Sequence, residues 1–121
     1  MDVPPTPAAP APSLPETLRT HDGLALHLQA SPCSGARRGS VLIVHGLGEH
    51  IGRYAHLVRQ LNGWGWSVLG YDQRGHGRSQ GARGRLQHAD DLLRDLALVI
   101  DTLRAAWPGP LVLLGHSMGG L

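Results

Sequence analysis

The chain closes on Gly115-His116-Ser117-Met118-Gly119-Gly120-Leu121, and the spacing Gly115-x-Ser117-x-Gly119 suits a nucleophilic serine. A turn from strand to helix tight enough to push a hydroxyl into a cleft leaves no room for side chains on either flank, so glycines are needed there. The run Leu111 to Leu114 ahead of it is apolar, as a buried strand should be. The helix expected after Ser117 points its N-terminus at the same spot and favours developing negative charge. These residues suit acyl transfer, with Ser117 as nucleophile.

A second segment with chemical content is His45-Gly46-Leu47-Gly48-Glu49-His50, directly after the apolar run Val41 to Val44. An acyl-transfer intermediate carries its charge on one oxygen, and two preorganised backbone N–H groups aimed at it are worth roughly 3–4 kcal/mol each. Gly46 and Gly48 let the backbone bend close, and we assign the two donors to the N–H groups of Leu47 and Met118. His45, Glu49 and His50 would be a metal cluster by residue type, but the H-E-x-x-H order is absent and glycines break any helix here, so no metal is expected. His45, with an apolar strand behind it, reads as a hydrogen-bonding spacer.

The elements that must hold these residues follow from periodicity. Thr17 to Thr20, the turn His21-Asp22-Gly23 and the alternating Leu24, Leu26 and Leu28 predict a β-hairpin. Ser31 to Gly39 is a loop. Val41 to Val44 and Trp66 to Tyr71 predict strands buried on both faces. Tyr54, Leu57, Val58 and Leu61 recur at helical spacing and close at Asn62-Gly63. Leu92, Leu93, Leu96, Val99, Ile100 and Leu103 form the stripe of a second helix, with aspartates in its first turn, Arg104 in its last and Pro108-Gly109 beyond. Strands alternating with helices predict a parallel α/β sheet with right-handed crossovers.

Composition sets the boundaries. The chain has 121 residues, room for one domain by the usual ~100–200 residues per domain. Six of nine prolines fall in residues 1–15, which read as a disordered Pro/Ala-rich tail, leaving 16–121 to fold. With 41% hydrophobic and 17% charged residues, a core is expected. Eleven arginines, no lysine and nine carboxylates give +2. Arg74, Arg78, Arg83 and Arg85 cluster without an aromatic residue to stack a base, so they read as solvated loop arginines paired with local carboxylates, and no nucleic acid is expected. The single cysteine, Cys33, excludes an intrachain disulfide and reads as incidental. The longest apolar run falls far short of the roughly 18 residues of a membrane span, and residues 1–15 lack the features of a secretory signal, so the default address is cytoplasmic.

Four blocks together resemble the α/β-hydrolase superfamily, and within it the monoacylglycerol lipase and lysophospholipase-like group. They are His45-Gly-Leu-Gly-Glu-His50, Arg53-Tyr54, Asp72-Gln-Arg-Gly-His-Gly-Arg-Ser79 with Gly81-Ala-Arg-Gly84, and Gly115-His-Ser-Met-Gly-Gly-Leu121. The resemblance covers about residues 17 to 121, in the family's order and spacing. It implies hydrolysis of a small lipid or other carboxylic ester, a monoacylglycerol or lysophospholipid, by Ser117, without a cofactor and with transient contact at a membrane or micelle surface. Asp72 and His76 fall in what resembles the family's structural loop, tying down the turn after a strand.

In this fold the triad runs Ser, then Asp or Glu, then His, whereas here all nine carboxylates and all eight histidines precede Ser117. Without a base a serine hydroxyl is a poor nucleophile. The expectation is therefore the N-terminal part of an α/β-hydrolase domain, a β-hairpin and then β-α-β-α-β ending at the nucleophile elbow, with cap and C-terminal half absent. The alternative is a non-catalytic remnant or binding protein on the same scaffold. Leu111 to Leu114 is then expected to be an apolar edge strand, and residues 1–121 alone to be insoluble or molten and inactive.

Overall fold

The computed structural model describes residues 13–46, 49–81 and 89–115. In chain order its elements are β1 (Thr17–Arg19), β2 (Ala25–Ser31), β3 (Gly39–Val44), a 3-10 turn (Ile51–Tyr54) running into α1 (Ala55–Gly63), β4 (Trp66–Tyr71), α2 (Ala89–Ala106) and β5 (Leu111–Gly115). They form one five-stranded mixed sheet of order β1-β2-β4-β3-β5. β3 lies in parallel between β4 and β5, and the β1–β2 hairpin joins the β4 side antiparallel.

β3 is buried along its whole length and β4 almost so, as their unbroken apolar runs require. Alternation divides their side chains between two clusters. Leu42, Val44, Leu69 and Tyr71 pack with Leu26 and Leu28 of β2 and with Val99, Leu103, Ala106 and Trp107 from α2 and the residue after it. Val41, Ile43 and Val68 point the other way, onto Ile51 and the half-buried Tyr54, Leu57, Val58 and Leu61. The chain steps from β3 to β4 and then back past β3 to β5, so crossovers of one hand must put α1 and α2 on opposite faces, as they are; twisted strands select the right hand. Gly70 in β4 is set by this packing, because a Cβ there would lie 2.0 Å from Cδ1 of Ile51.

Four details depart from the sequence reading. Leu14, inside the stretch read as a tail, is 9% exposed and belongs to the α2-side cluster, while Glu16 O accepts the Leu28 N–H, so packing begins before Thr17. Residues 1–12 lie outside the described residues. Helix α1 continues through Gly63, and the left-handed residue that ends it is Gly65, with φ +91°. Leu93, counted in the α2 stripe, is 62% exposed, and the inward positions one turn apart are Asp91 and Asp95, followed by Val99 and Leu103. The sheet, read as parallel, is mixed: β3, β4 and β5 are parallel, while β2 pairs antiparallel with β4 and, through the tight hairpin turn, with β1.

Candidate active site

Strand order reverses between β3 and β5, and the C-terminal ends of the two strands at such a reversal are the place where open α/β sheets bind ligands. Val44, the last residue of β3, is registered against Gly115, the last of β5. The His45-Gly46 segment and the glycine that opens the serine motif thus leave the sheet side by side. Ser117, Met118 and Gly119, together with Leu47 and Gly48, lie outside the described residues, as do Arg83 and Arg85. Of the site residues read from sequence, the structure brings together His45, Gly46 and Gly115.

His45 is fully buried. Its Nε2 accepts the backbone N–H of Gln73 at 2.9 Å, which assigns the remaining proton to Nδ1, and Nδ1 lies 2.8 Å from the Gly46 carbonyl oxygen that accepts it. Desolvation holds the pKa of this imidazole below its ordinary value, outweighing the Gly46 carbonyl, and the nearby His76 ring adds in the same direction. The Gln73 side-chain amide donates to the His45 carbonyl at 2.6 Å. His45 therefore ties β3 to the loop after β4.

Gly46 is fixed from the other side by Glu49. The Glu49 carboxylate accepts the Gly46 N–H at 2.8 Å and the Tyr54 hydroxyl at 2.9 Å, and the Glu49 N–H donates to the Gly46 carbonyl at 3.1 Å. Arg53 stands 3.7 Å from the same carboxylate. Burial and the neighbouring Glu49 both push the Tyr54 phenol up. Sequence reasoning weighed Glu49 only as a metal ligand. The signal it missed was the three-residue spacing from Gly46, at which a carboxylate reaches back to a free backbone N–H, as in a capping box.

Asp72 organises the next loop. Its Oδ1 accepts the Ile51 N–H at 2.7 Å and its Oδ2 the Arg78 N–H at 3.0 Å, while the Ser79 hydroxyl donates to its carbonyl oxygen. Gly77, at φ +50°, passes so close that a Cβ would lie 2.4 Å from the Asp72 carboxyl carbon. The structural role read for Asp72 holds. His76 contributes a ring 5.1 Å from that of His45, and its Nδ1 lies 3.0 Å from the Arg74 carbonyl.

Arg74 corrects the reading of solvated arginines paired locally. Only 9% of its side chain is exposed. Its guanidinium donates twice to Asp95, at 2.7 and 2.9 Å, and twice to Asp22, both at 3.0 Å, with Asp91 at 3.3 Å. The partners come from the hairpin turn and from α2. Arg74 in turn holds the Asp22 carboxyl well below the usual carboxylate range, with help from the Thr20 hydroxyl. His21, Asp22 and Asp91 converge closely enough to share a cation, but both carboxylates already face the guanidinium. Cys33 is half-buried, with its N–H donating to the Ser67 hydroxyl.

A mixed sheet with helices on both faces, its switch point flanked by a His-Gly turn and the glycine of a G-x-S-x-G segment, defines the α/β-hydrolase class. The chain belongs to the family described as serine aminopeptidase, S33, whose model matches residues 35–121. It is 38% identical over 100 residues to the monoglyceride lipase of Homo sapiens, covering 82% of this chain and 33% of that one. Among solved structures, the monoacylglycerol lipase of Paleococcus ferrophilus is 38% identical with a TM-score of 0.67, over 78% of this chain and 34% of that one. A soluble variant of the Saccharomyces cerevisiae monoglyceride lipase, in complex with a substrate analog, is 28% identical with a TM-score of 0.75, over 97% and 41%. The chain spans about a third of the length of the curated relatives it matches. Among the described residues, no helix is long and apolar enough to cross a membrane.

Proposed function

We propose that these residues are the N-terminal part of a serine hydrolase that cleaves a carboxylic ester, a monoacylglycerol or a lysophospholipid, through an acyl-enzyme on Ser117. The observation that supports this reading most is the register of Val44 with Gly115, which sets the two glycine-bearing segments against each other at the switch point. Ser117 Oγ attacks the ester carbonyl while a histidine supplied from later in the longer protein takes its proton. The charge on the tetrahedral oxygen is met by the N–H groups of Leu47 and Met118. Collapse expels the alcohol, and water then releases the acid. His45 does not serve as the base, since Nε2 is bound to the Gln73 N–H and the ring is fully buried. Residues 1–121 hold no downstream carboxylate and histidine of their own.

Ester rather than amide cleavage is favoured because the relatives are named as lipases, while the family description names an aminopeptidase. The test is turnover by the complete protein. Monoacylglycerol and p-nitrophenyl esters are hydrolysed by the wild type and not by Ser117→Ala. Turnover confined to aminoacyl p-nitroanilides would move the reading to a peptidase. A stably folded protein that hydrolyses neither would make it a binding protein on the same scaffold.

A further inference from the structure

We propose that Glu49 is a positioning residue for the oxyanion-stabilising turn, an inference that rests on the reading above. Gly46 enters the segment assigned to the first donor, and both of its peptide groups are committed: the N–H to Glu49 Oε1, and the carbonyl to the His45 ring and the Glu49 N–H. Gly46 and Glu49 are therefore joined twice, through the Glu49 backbone and through its carboxylate. The same oxygen, Oε1, also receives the Tyr54 hydroxyl, which anchors the closed turn to the residue before α1. Gly46 lacks a side chain to hold its own backbone, so its orientation falls to these bonds.

The carboxylate works here as an acceptor. Its charge is not what the Gly46 N–H and the Tyr54 hydroxyl require, and Arg53, on Oε2, offsets part of that charge. An amide in place of the carboxylate keeps the acceptor and removes the charge. Glu49→Gln is therefore expected to work nearly as well as Glu49, and Glu49→Ala to fail by loosening the turn. The loss should fall on the transition state and leave substrate binding almost untouched.

The experiment uses the complete enzyme with a monoacylglycerol and an alkylboronic acid as transition-state analogue. Glu49→Ala is expected to lower kcat by about 10–100-fold with KM within about 3-fold, and to weaken the boronic acid by a similar factor. Glu49→Gln is expected to restore both to within about 5-fold of wild type. If Glu49→Ala does not fold, Tyr54→Phe carries the test, with a smaller fall of about 2–10-fold in kcat and boronic-acid affinity together. Wild-type kcat in Glu49→Ala overturns the proposal, as does a fall in kcat with unchanged boronic-acid affinity. So does Tyr54→Phe that leaves both unchanged. A wild-type enzyme that turns over no ester overturns the parent reading and this one together; an active wild type matched by Glu49→Ala overturns this one alone.

Discussion

His45 and Gln73 hold each other through both backbone and side chain: Nε2 of His45 accepts the Gln73 N–H at 2.9 Å, and the Gln73 amide donates to the His45 carbonyl at 2.6 Å. The pair joins the loop after β3 to the loop after β4 at the ends of two parallel strands. Since Nε2 must stay an acceptor, the bond exists only while the imidazole is neutral.

That requirement sets a pH dependence. The folded-state pKa of His45 lies below its ordinary 6.5, so below that value the unfolded chain binds a proton that the folded chain refuses. Stability from this group is complete above about pH 6.5 and is lost as pH falls toward the lowered value, with a slope of at most about 1.4 kcal/mol per pH unit. In the complete protein, His45→Gln is expected to be less stable at pH 8 but to have a shallower acid limb between pH 6.5 and 5 in urea titrations. Parallel limbs for the two proteins would contradict it.

Arg74 is expected to be the most sensitive polar residue of the described fold. Asp95, with a side chain only 2% exposed, depends on it for charge compensation. Removing one partner of such a pair costs about 3–5 kcal/mol, because the other charge stays buried. Arg74→Ala should therefore lower the denaturation midpoint of the complete protein sharply, and Asp95→Asn in the same background should recover part of the loss. Additive losses would show that the pair is not coupled.

These two networks mark where the sequence was and was not legible. β3, β4 and α1 came through because burial on two faces, or on one helical stripe, is written in neighbouring residues. Asp91 and Asp95 were not legible: an aspartate in the first turn, as Asp91 is, already has a reason to be there, the macrodipole, and one a turn further on reads as a solvated charge. Their inward orientation depends on Arg74, 21 residues before Asp95 and far from it along the chain, and nothing local encodes that partnership. Leu14 was hidden for a related reason, since a lone leucine among prolines finds its core only through the β2 edge.

Ser40 gives the opposite expectation to Arg74. Its hydroxyl, buried in β3, has no hydrogen-bond partner among the described residues. Burying an unsatisfied hydroxyl costs about 1–3 kcal/mol, so Ser40→Ala should be neutral or stabilising by about 1 kcal/mol in the complete protein. Ser67→Ala, which removes the acceptor of the Cys33 N–H, should instead cost about 0.5–1.5 kcal/mol. Equal losses in the two variants by thermal denaturation would contradict this assignment.

The β5 strand carries an expectation about the 121-residue chain in isolation. Among the described residues it pairs on one side only, with β3, and Val112, Leu113 and Leu114 are 46%, 49% and 37% exposed. Unpaired backbone beside apolar side chains templates further strands. The isolated chain is expected to self-associate in sedimentation velocity, and Leu113→Lys to reduce that association. A monomer at all concentrations, with a cooperative thermal transition, would contradict the expectation.

The acyl-enzyme on Ser117 is tested by mass spectrometry of the complete protein quenched in acid during turnover of a slow p-nitrophenyl ester. A mass increase equal to one acyl group is expected, mapped to the peptide containing Ser117 and absent from Ser117→Ala. Product formed with no adduct on that peptide in the wild type, or an adduct that persists in Ser117→Ala, would contradict it.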